Sequence, residues 1–332
     1  MDLCMNSNPF VSVVMSVYNG GEFLKDAINS ILSQSYKNFE FIIINDGSSD
    51  NFSEILELYD DERIKVLNNQ ENKGLVYSLN RGLLESIGKY IVRMDADDIS
   101  LPNRIEKQVE FMEREPEVGV CGSYIEIFGD TIKRKVQRFP SNVNVNEAFL
   151  LFSTCLAHPS VIIRKSIVDK YKLRYDDRYL HAEDYAIWCQ AVKYTKISNI
   201  REVLLKYRIL ESSVTRQANK NFQSRFDVHK SIYKDIFRNK GIDYTEKELY
   251  LHFIISDNNR FRNQALTIRP SEINAHLTKI LSHYRGASNY KYIAFLVNKR
   301  GLSLSRWYSE SRGFYFIMYL FKFLYYKIQI KK

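Results

Sequence analysis

Alternation between apolar strands and helical segments is the feature of this sequence that most limits its fold. From Phe10 to about Met94, short apolar runs are separated by longer segments with helical spacing. The predicted strands are Val11–Val17, Phe41–Ile44, Ile64–Leu67 and Tyr90–Met94, and the predicted helices are Glu22–Ser33, Ser53–Tyr59 and Leu75–Ser86. Repeated strand–helix–strand units predict an α/β fold with a mostly parallel sheet and helices on both faces.

The strand Tyr90–Met94 runs directly into three acidic residues, Asp95, Asp97 and Asp98. Carboxylates at positions i and i+2 after a buried strand can converge on one hard divalent cation, Mg²⁺ or Mn²⁺, which keeps open positions for phosphate oxygens. The pattern therefore predicts a nucleoside diphosphate bound through a metal ion. The alternative is an acidic turn that caps the helix beginning near Pro102.

Two other strands end in polar residues. Phe41–Ile44 is followed by Asn45 and Asp46, and the first strand ends in Tyr18 and Asn19. Ligands of open α/β sheets bind beyond the carboxyl ends of the strands, so these residues should face the same crevice as the acidic cluster.

The composition indicates which partners and which cellular compartment to expect. The chain has 332 residues, 45% of them hydrophobic, and a formal net charge of +9, which favours anionic partners such as phosphorylated substrates, nucleic acid or anionic membranes. Its four cysteines show no paired spacing, so a reducing, cytoplasmic compartment is expected. Neither a signal peptide nor an apolar run of transmembrane length is recognisable.

The character of the sequence changes near Thr215. We expect a catalytic domain over residues 1–215 and a helical, basic and aromatic region over residues 216–332. Its last stretch, Arg306 to Lys332, mixes aromatic residues with arginine and lysine. Such a segment suits the surface of an anionic membrane, where it would bind peripherally. The alternative is a helix packed on the catalytic domain with solvated lysines.

Seven segments in order carry a family resemblance: VSVVMSVYNG, FIIINDGSSD, NKGL, MDADD, HPS, AEDY and YRILESSVT. Together they resemble the inverting glycosyltransferases of family 2, which have a GT-A fold and use nucleotide-activated sugars. The resemblance covers roughly Phe10 to Thr215.

The resemblance implies roles for individual residues. In the donor site, Tyr18 and Asn19 would line the pocket for the base, and Asp46 would accept a hydrogen bond from uracil N3–H. The remaining donor-site residues would be Asn72, Lys73 and Gly74 along the nucleoside and Arg81 near the phosphates or the sugar.

The same resemblance assigns the catalytic and metal-binding residues. Asp95 and Asp97 match the Asp-X-Asp motif, with Asp97 holding Mn²⁺ or Mg²⁺ and Asp95 approaching the ribose, the sugar or the metal. Asp184 matches the catalytic base. Glu183 before it is the weaker candidate for the base or an acceptor contact, and the alternative is a helix cap.

Two positions require separate interpretation. In many relatives the segment that corresponds to Tyr207–Leu210 ends in a histidine. This chain has Leu210 there instead. Arg208 is therefore expected to supply the positive charge near the diphosphate. His158, in the HPS motif, is either an acceptor-side contact or a structural hydrogen-bonding residue.

The expected reaction is transfer of a hexose or N-acetylhexosamine from a UDP-sugar to a saccharide hydroxyl, with inversion at the anomeric carbon. The acceptor would be linked to a polyprenyl diphosphate in bacterial O-antigen, capsule or exopolysaccharide synthesis, at the inner face of the cytoplasmic membrane.

The alternatives are a sugar nucleotidyltransferase and a catalytically degenerate relative that serves as an assembly partner at the membrane. Against the first, the loop from Val17 to Glu22 contains an acid and no basic residue. No nucleic-acid-binding motif is recognised, and nucleic acid is not expected as a partner.

Overall fold

The computed structural model describes residues 8–129, 133–210, 221–257, 262–305 and 312–331. The chain divides into two compact units. Unit 1 comprises Met1–Ser141 and Leu156–Gln217, and unit 2 comprises Asn142–Cys155 and Ala218–Lys332. The short segment Asn142–Cys155, inside the expected catalytic region, thus belongs with the C-terminal helices.

Nine described strands of unit 1 form one sheet with the order β3-β2-β1-β4-β8-β6-β9-β5, in which β7 pairs with β6. Their bounds are β1 Val11–Val17, β2 Phe39–Asn45, β3 Ile64–Asn68, β4 Tyr90–Asp95, β5 Ile99–Ser100, β6 Val118–Phe128, β7 Lys135–Gln137, β8 Ile162–Arg164 and β9 Lys196–Arg208. The four predicted N-terminal strands are all present.

Strands β3, β2, β1 and β4 are parallel to one another. β1 and β2 are buried almost throughout, as expected for parallel strands covered by helices on both faces. In the pairing of β1 with β4, Ser16 lies beside Asp95, and in its pairing with β2, Val17 lies beside Asn45. The register therefore brings the polar ends of these strands to one edge of the sheet.

The other half of the sheet is mixed. β8 is antiparallel to both β4 and β6, β5 is antiparallel to β9, and β9 is parallel to β6. β9 is a long strand of 13 residues. Near its end, Leu205 and Lys206 pair with the short strand β5 that follows the acidic cluster. This brings sequence-distant residues to the end of β4.

The helices of unit 1 connect these strands. They are α1 Leu24–Leu32, α2 Phe52–Leu56, α3 Leu75–Glu85, α4 Arg104–Arg114, α6 Lys165–Tyr171 and α7 Glu183–Ala191. In α1, buried residues recur at helical spacing on one face, which packs towards the sheet.

Unit 2 is helical over its described residues. Its helices are α5 Val143–Phe149, α8 Phe222–Lys240, α9 Glu246–Ser256, α10 Arg262–Leu266, α11 Pro270–His283, α12 Tyr290–Ser305 and α13 Arg312–Lys331. Of the predicted C-terminal stretch, residues 306–311, which include Trp307 and Tyr308, lie outside the described residues. No described helix combines the length and the apolar character needed to cross a lipid bilayer.

Two buried histidines lie in the core of unit 2. His252 Nε2 donates to the carbonyl oxygen of Leu151 at 2.7 Å, so its Nδ1 accepts from His276 Nε2 at 3.1 Å. The His252 ring also stacks on Phe152, 4.9 Å between centroids. Burial lowers the pKa of His252 well below its ordinary value and lowers that of His276 to about 4. The pair is therefore neutral in the folded protein, and it connects the segment Asn142–Cys155 to helices α9 and α11.

We expect the stability of the protein to fall as the pH decreases from about 6.5 to 4. In this window the unfolded chain binds a proton at His276 that the folded chain does not, so acid favours unfolding. The loss of unfolding free energy from His276 is of the order of 3 kcal/mol. Unfolding in urea across this range should show a shallower pH dependence for His276→Gln. His283→Gln, at an exposed position of the same helix, should keep the native slope, and an equal slope in the His276 variant would contradict the expectation.

Candidate functional site

The three carboxylates after β4 form a compact cluster. One carboxylate oxygen from each of Asp95, Asp97 and Asp98 lies within 4.8 Å of the other two. Asp95 and Asp97 are half-buried, whereas Asp98 is fully buried. The structure thus brings together the acids that the sequence singled out, and it separates two accessible carboxylates from one that points into the protein.

A buried arginine lies at the base of this cluster. Arg93, in the otherwise apolar strand β4, forms an ion pair with Asp95 through Nη2. Its Nε and Nη1 atoms are buried without a hydrogen-bond partner among the described residues. A second buried arginine, Arg104 of α4, donates to the backbone carbonyl of Arg93 at 2.7 Å. Two guanidinium groups therefore support the acidic end of β4 from within the protein.

The remaining negative charge of the cluster is not fully compensated. Burial and the negative charge of Asp95 raise the pKa of Asp97 to about 6. Burial and the charges of Asp95 and Asp97 raise the pKa of Asp98 well above its ordinary value. A divalent cation would offset this repulsion, and carboxylate oxygens are the ligands that Mg²⁺ and Mn²⁺ prefer. The residues present therefore fit a divalent metal ion, with Asp97 and Asp95 as the accessible ligands.

Arg208, at the end of β9, forms two hydrogen bonds to the loop of Asp97 and Asp98. Its backbone N–H donates to Asp98 Oδ1 at 2.8 Å, and its Nε donates to the carbonyl oxygen of Asp97 at 2.8 Å. The guanidinium carbon lies 4.2 Å from the centroid of the Phe23 ring. Leu210, two residues on, is apolar and half-buried, so this strand end offers no side-chain ligand at that position. Arg208 thus shapes the loop that carries Asp97.

The loops after β1 and β2 are joined by hydrogen bonds through Asn19. Asn19 adopts a left-handed backbone conformation with φ of 51°. Its N–H donates to Ser48 Oγ at 3.0 Å, and its Oδ1 accepts from the N–H of Ser49 at 2.9 Å. Tyr18 beside it is exposed, with its ring available to a ligand. Asn19 therefore holds the two loops together.

Asp46 is buried, and its carboxylate organises the loop before α3. Oδ1 accepts from Asn69 Nδ2 at 2.6 Å and from the N–H of Lys73 at 3.0 Å, while Oδ2 accepts from the N–H of Gly74 at 2.9 Å. The adjacent Gly47 has φ of +72°, and a Cβ there would lie 2.6 Å from the carbonyl carbon of Glu71. The residue expected to contact uracil is therefore also the anchor of the loop at residues 69–74.

The other predicted donor-site residues lie in or beside this loop. Asn72 Oδ1 accepts from the N–H of Gly74 at 2.9 Å, and the exposed Lys73 forms an ion pair with Glu71. Arg81 of α3 donates through Nη1 to the backbone carbonyl of Asn68 at 2.8 Å and to Asn69 Oδ1 at 2.6 Å. These contacts hold the loop and the arginine at the end of β3, next to Asp46.

The predicted base lies in the first turn of α7. Asp184 is half-buried, and Glu183 beside it is buried. Within the part of the chain that the structure describes, Oε2 of Glu183 has no hydrogen-bond partner. The N-cap of this helix is Ala182, whose side chain makes no capping hydrogen bond. Acidic residues nevertheless suit this end of a helix, where the backbone N–H groups carry partial positive charge.

The buried Tyr175 is affected by charges of the β4 cluster and by charges of the first turn of α7. Tyr175 Oη lies 2.8 Å from His158 Nε2. Burial raises the pKa of Tyr175, and the negative charges of Asp184, Glu183 and Asp95 raise it further, whereas the positive charge of Arg93 lowers it. The same tyrosine therefore lies in the electrostatic field of the β4 cluster and of the first turn of α7.

His158 is a half-buried, neutral partner of this tyrosine. Loss of hydration and the charge of Arg93 hold the pKa of His158 well below its ordinary value. Its ring also meets Trp188 of α7 edge to face, 6.0 Å between centroids. The structure thus gives this histidine a hydrogen-bonding and packing role between the segment before β8 and helix α7.

Sequence reasoning did not single out Arg93, Tyr175 or Trp188. A charged residue in an otherwise apolar strand was a usable signal for Arg93, since a buried guanidinium requires a partner. Nothing in the sequence marked Tyr175 or Trp188, because their importance follows from contacts made across the fold.

Comparisons with known proteins identify the family of this chain. Residues 12–172 match the family "Glycosyl transferase family 2". An uncharacterised glycosyltransferase of Haemophilus influenzae is 36% identical over 218 residues, which are 62% of this chain and 67% of that protein. The Escherichia coli UDP-Glc:alpha-D-GlcNAc-diphosphoundecaprenol beta-1,3-glucosyltransferase WfgD is 30% identical over 221 residues, 66% of this chain and 84% of the relative. The Escherichia coli O-antigen biosynthesis glycosyltransferase WbnJ is 31% identical over 220 residues, 63% and 83% of the two chains.

Solved structures share the fold at lower identity. Residues 1–349 of S. aureus TarS in complex with UDP-GlcNAc superpose with a TM-score of 0.61 and 17% identity, covering 96% of this chain and 92% of that one. The mannosyltransferase PcManGT of Pyrobaculum calidifontis, in complex with GDP-Man and Mn²⁺, gives a TM-score of 0.56 at 14% identity, covering 98% and 89%. The predicted GT-A fold, a mostly parallel α/β sheet with a helical C-terminal extension, is confirmed, and the chain belongs to glycosyltransferase family 2.

Proposed function

We propose that this glycosyltransferase is a metal-dependent, inverting enzyme that moves a hexose or N-acetylhexosamine from a UDP-sugar to a saccharide hydroxyl. The observation that carries the proposal is the cluster of Asp95, Asp97 and Asp98 at the carboxyl end of β4. In an open α/β sheet this edge is where ligands bind, and the loop organised by Asp46 lies along the same parallel half of the sheet.

The residues that would hold the metal ion are Asp97 and Asp95. When bound, a divalent ion supplies charge that offsets the negative charge developing on the diphosphate leaving group. The chain itself orients these carboxylates: Arg93 holds Asp95 by an ion pair, and Arg208 holds the backbone of Asp97. Asp98 stays buried and accepts from Arg208, so its role is to fix the loop.

Asp184 is the proposed general base. A carboxylate that takes the proton of the acceptor hydroxyl on the face opposite the leaving group gives direct displacement with inversion. No protein nucleophile is required. The negative charges of Asp184 and Asp95 both raise the pKa of Tyr175, which links the proposed base to the acidic cluster. Tyr175 and His158 would position the acceptor side, since Tyr175 is buried and hydrogen-bonded to His158.

The proposed acceptor is a saccharide linked to a polyprenyl diphosphate, in the assembly of a bacterial O-antigen, capsule or exopolysaccharide. The relative WfgD supports this substrate class, because its name describes a UDP-glucose donor and a sugar on diphosphoundecaprenol. An acceptor of this kind remains in a bilayer, so we place the enzyme peripherally at the inner face of the cytoplasmic membrane.

The function is tested by incubating the full chain with a panel of UDP-sugars and Mn²⁺, with and without lipid-linked saccharide acceptors, and measuring UDP release and product formation. Transfer that requires both the acceptor and the metal ion, and that converts an α-linked donor into a β-linked product, is the expected result. Retention of the α configuration would contradict the inverting mechanism. Absence of turnover with every donor, including GDP-sugars, would instead favour a degenerate assembly partner.

We expect Asp46→Ala to weaken UDP binding by about 1.5–3 kcal/mol, because a hydrogen bond to a charged group has this range. Since Asp46 also anchors the loop at residues 69–74, the binding of CDP provides the control. Cytosine has no N3–H, so a residue that reads uracil N3–H should favour UDP over CDP, and the variant should lose that preference. Calorimetry that shows equal losses for UDP and CDP would assign Asp46 to loop anchoring alone. Equal native affinity for UDP and GDP would contradict a uracil pocket.

A further inference from the structure

Helix α13 is packed on unit 2 through one of its faces. The Tyr319 ring lies over Gly301 of α12, where a Cβ would come within 2.4 Å of the ring, and Tyr319 Oη donates to Asn274 Oδ1 at 3.0 Å. Phe323 stacks on Phe295, with 5.2 Å between ring centroids. The helix is therefore a folded part of unit 2.

The opposite face of α13 is apolar and exposed. Phe321, Leu324, Tyr325 and Ile328 have exposed fractions of 69%, 43%, 58% and 57%. Their spacing of i, i+3, i+4 and i+7 places them on one stripe, about 10 Å long, that faces away from Tyr319 and Phe323. We call these four residues the outer stripe. Large apolar side chains in a contiguous exposed patch mark an interaction surface.

Basic residues flank the outer stripe. At about 100° per residue, Lys322 lies on one side of it and Lys327 on the other, and both are exposed. From residue 311 to residue 332 the sequence has five basic residues, Arg312, Lys322, Lys327, Lys331 and Lys332, and no aspartate or glutamate. Lysines at the edges of an apolar stripe can extend their ammonium groups towards a charged surface while the stripe is buried.

A cleft borders the outer stripe. It has a volume of about 340 Å³ and lies where α11, α12 and α13 meet. Its lining includes Tyr290 of α12 and Phe321, Lys322, Tyr325 and Tyr326 of α13, so Phe321 and Tyr325 of the outer stripe also border the cleft. Tyrosines and lysines are the residues that occupy the headgroup zone of membranes, where one end of the side chain is apolar and the other is hydrated.

We infer that the outer stripe, with Lys322 and Lys327, is the surface through which this protein binds anionic phospholipid membranes. The charge of the helix selects an anionic partner, and the apolar stripe selects one with an accessible hydrocarbon region. Binding is reversible, since the stripe spans only two helical turns and inserts to the headgroup boundary. This surface would hold the enzyme beside a lipid-linked acceptor, and that purpose rests on the proposed function.

The test measures sedimentation of the full chain with vesicles of phosphatidylcholine alone or mixed with phosphatidylglycerol. The native protein should bind the anionic vesicles at least about tenfold more tightly than the neutral ones and should be released in about 0.5 M salt. Phe321→Ser/Ile328→Ser should weaken binding to anionic vesicles at least about tenfold. Lys322→Glu/Lys327→Glu should do the same, because each lysine near an anionic surface contributes about fivefold.

The matched control is Leu84→Ser/Ile87→Ser, which removes two equally exposed apolar side chains from unit 1 and should leave vesicle binding unchanged. Thermal unfolding of each variant checks that unit 2 stays folded. Unchanged vesicle binding in the outer-stripe variant would overturn the inference. The inference would also be overturned if the native protein were a dimer without lipid and the outer-stripe variant were a monomer, because the stripe would then bind a second copy of the chain. Vesicle binding without sugar transfer would count against the proposed function and leave this surface supported.

Discussion

Replacing Asp184 with asparagine is expected to lower turnover by at least about a hundredfold and to leave UDP binding nearly unchanged. The amide keeps the size and hydrogen-bonding shape of the side chain but cannot accept the proton of the acceptor hydroxyl, and general bases contribute roughly 10²–10⁴ in rate. Transfer rates at saturating donor, together with calorimetric UDP affinity, measure the two quantities separately.

Glu183→Gln provides the matched control for this prediction, because it removes the neighbouring carboxylate from the same helical turn. Its rate should fall much less than that of the Asp184 variant. Near-native turnover of Asp184→Asn would eliminate Asp184 as the base, and a larger loss in Glu183→Gln would move the assignment to Glu183.

Asp97→Ala is expected to remove Mn²⁺-dependent binding of UDP. The accessible carboxylates of the cluster are those of Asp95 and Asp97, and Asp95 is already held by Arg93. A hard cation that loses its principal protein carboxylate is then held only by water and phosphate. Calorimetric titration of UDP with Mn²⁺, and with a chelator, measures the loss directly.

The control for the metal site is Asp98→Asn. Asp98 is buried and accepts from the N–H of Arg208, and the amide oxygen of asparagine can accept the same bond. This variant should retain Mn²⁺-dependent UDP binding. Unchanged metal-dependent binding in Asp97→Ala would refute the assignment, while loss in Asp98→Asn with an intact fold would show that the buried carboxylate takes part in the metal site.

Local sequence was sufficient to predict the parallel half of the sheet. β1 was predicted at its observed bounds, β3 and β4 each extend one residue beyond the predicted segments, and β2 extends two residues before its segment and one after it. Strands buried on both faces read as continuous apolar runs, and the polar residues that follow them mark their ends. For the same reason the acidic cluster of Asp95, Asp97 and Asp98 is recognisable from the sequence alone.

Other features of the site depend on contacts between residues far apart in the sequence. Asp46 was expected to contact a nucleotide, and the structure adds its bonds to the N–H groups of Lys73 and Gly74. Arg208 was expected near a diphosphate, and the structure adds its bonds to the Asp97–Asp98 loop. Such partners have no signature in composition or spacing, because they follow from strand order and loop path.

By itself the sequence determined the alternation of strands and helices, the carboxylates that end β4 and the family, because these depend on local polarity and on motifs read in order. Only the tertiary structure decided which carboxylate is buried, that Arg93 supports Asp95 and that Tyr175 lies in the fields of both Asp95 and Asp184. It also decided that α13 packs Tyr319 and Phe323 against unit 2 while exposing Phe321 and Ile328. The physical reason is that burial and charge compensation are properties of a side chain's neighbours, and the fold brings those neighbours from distant parts of the chain.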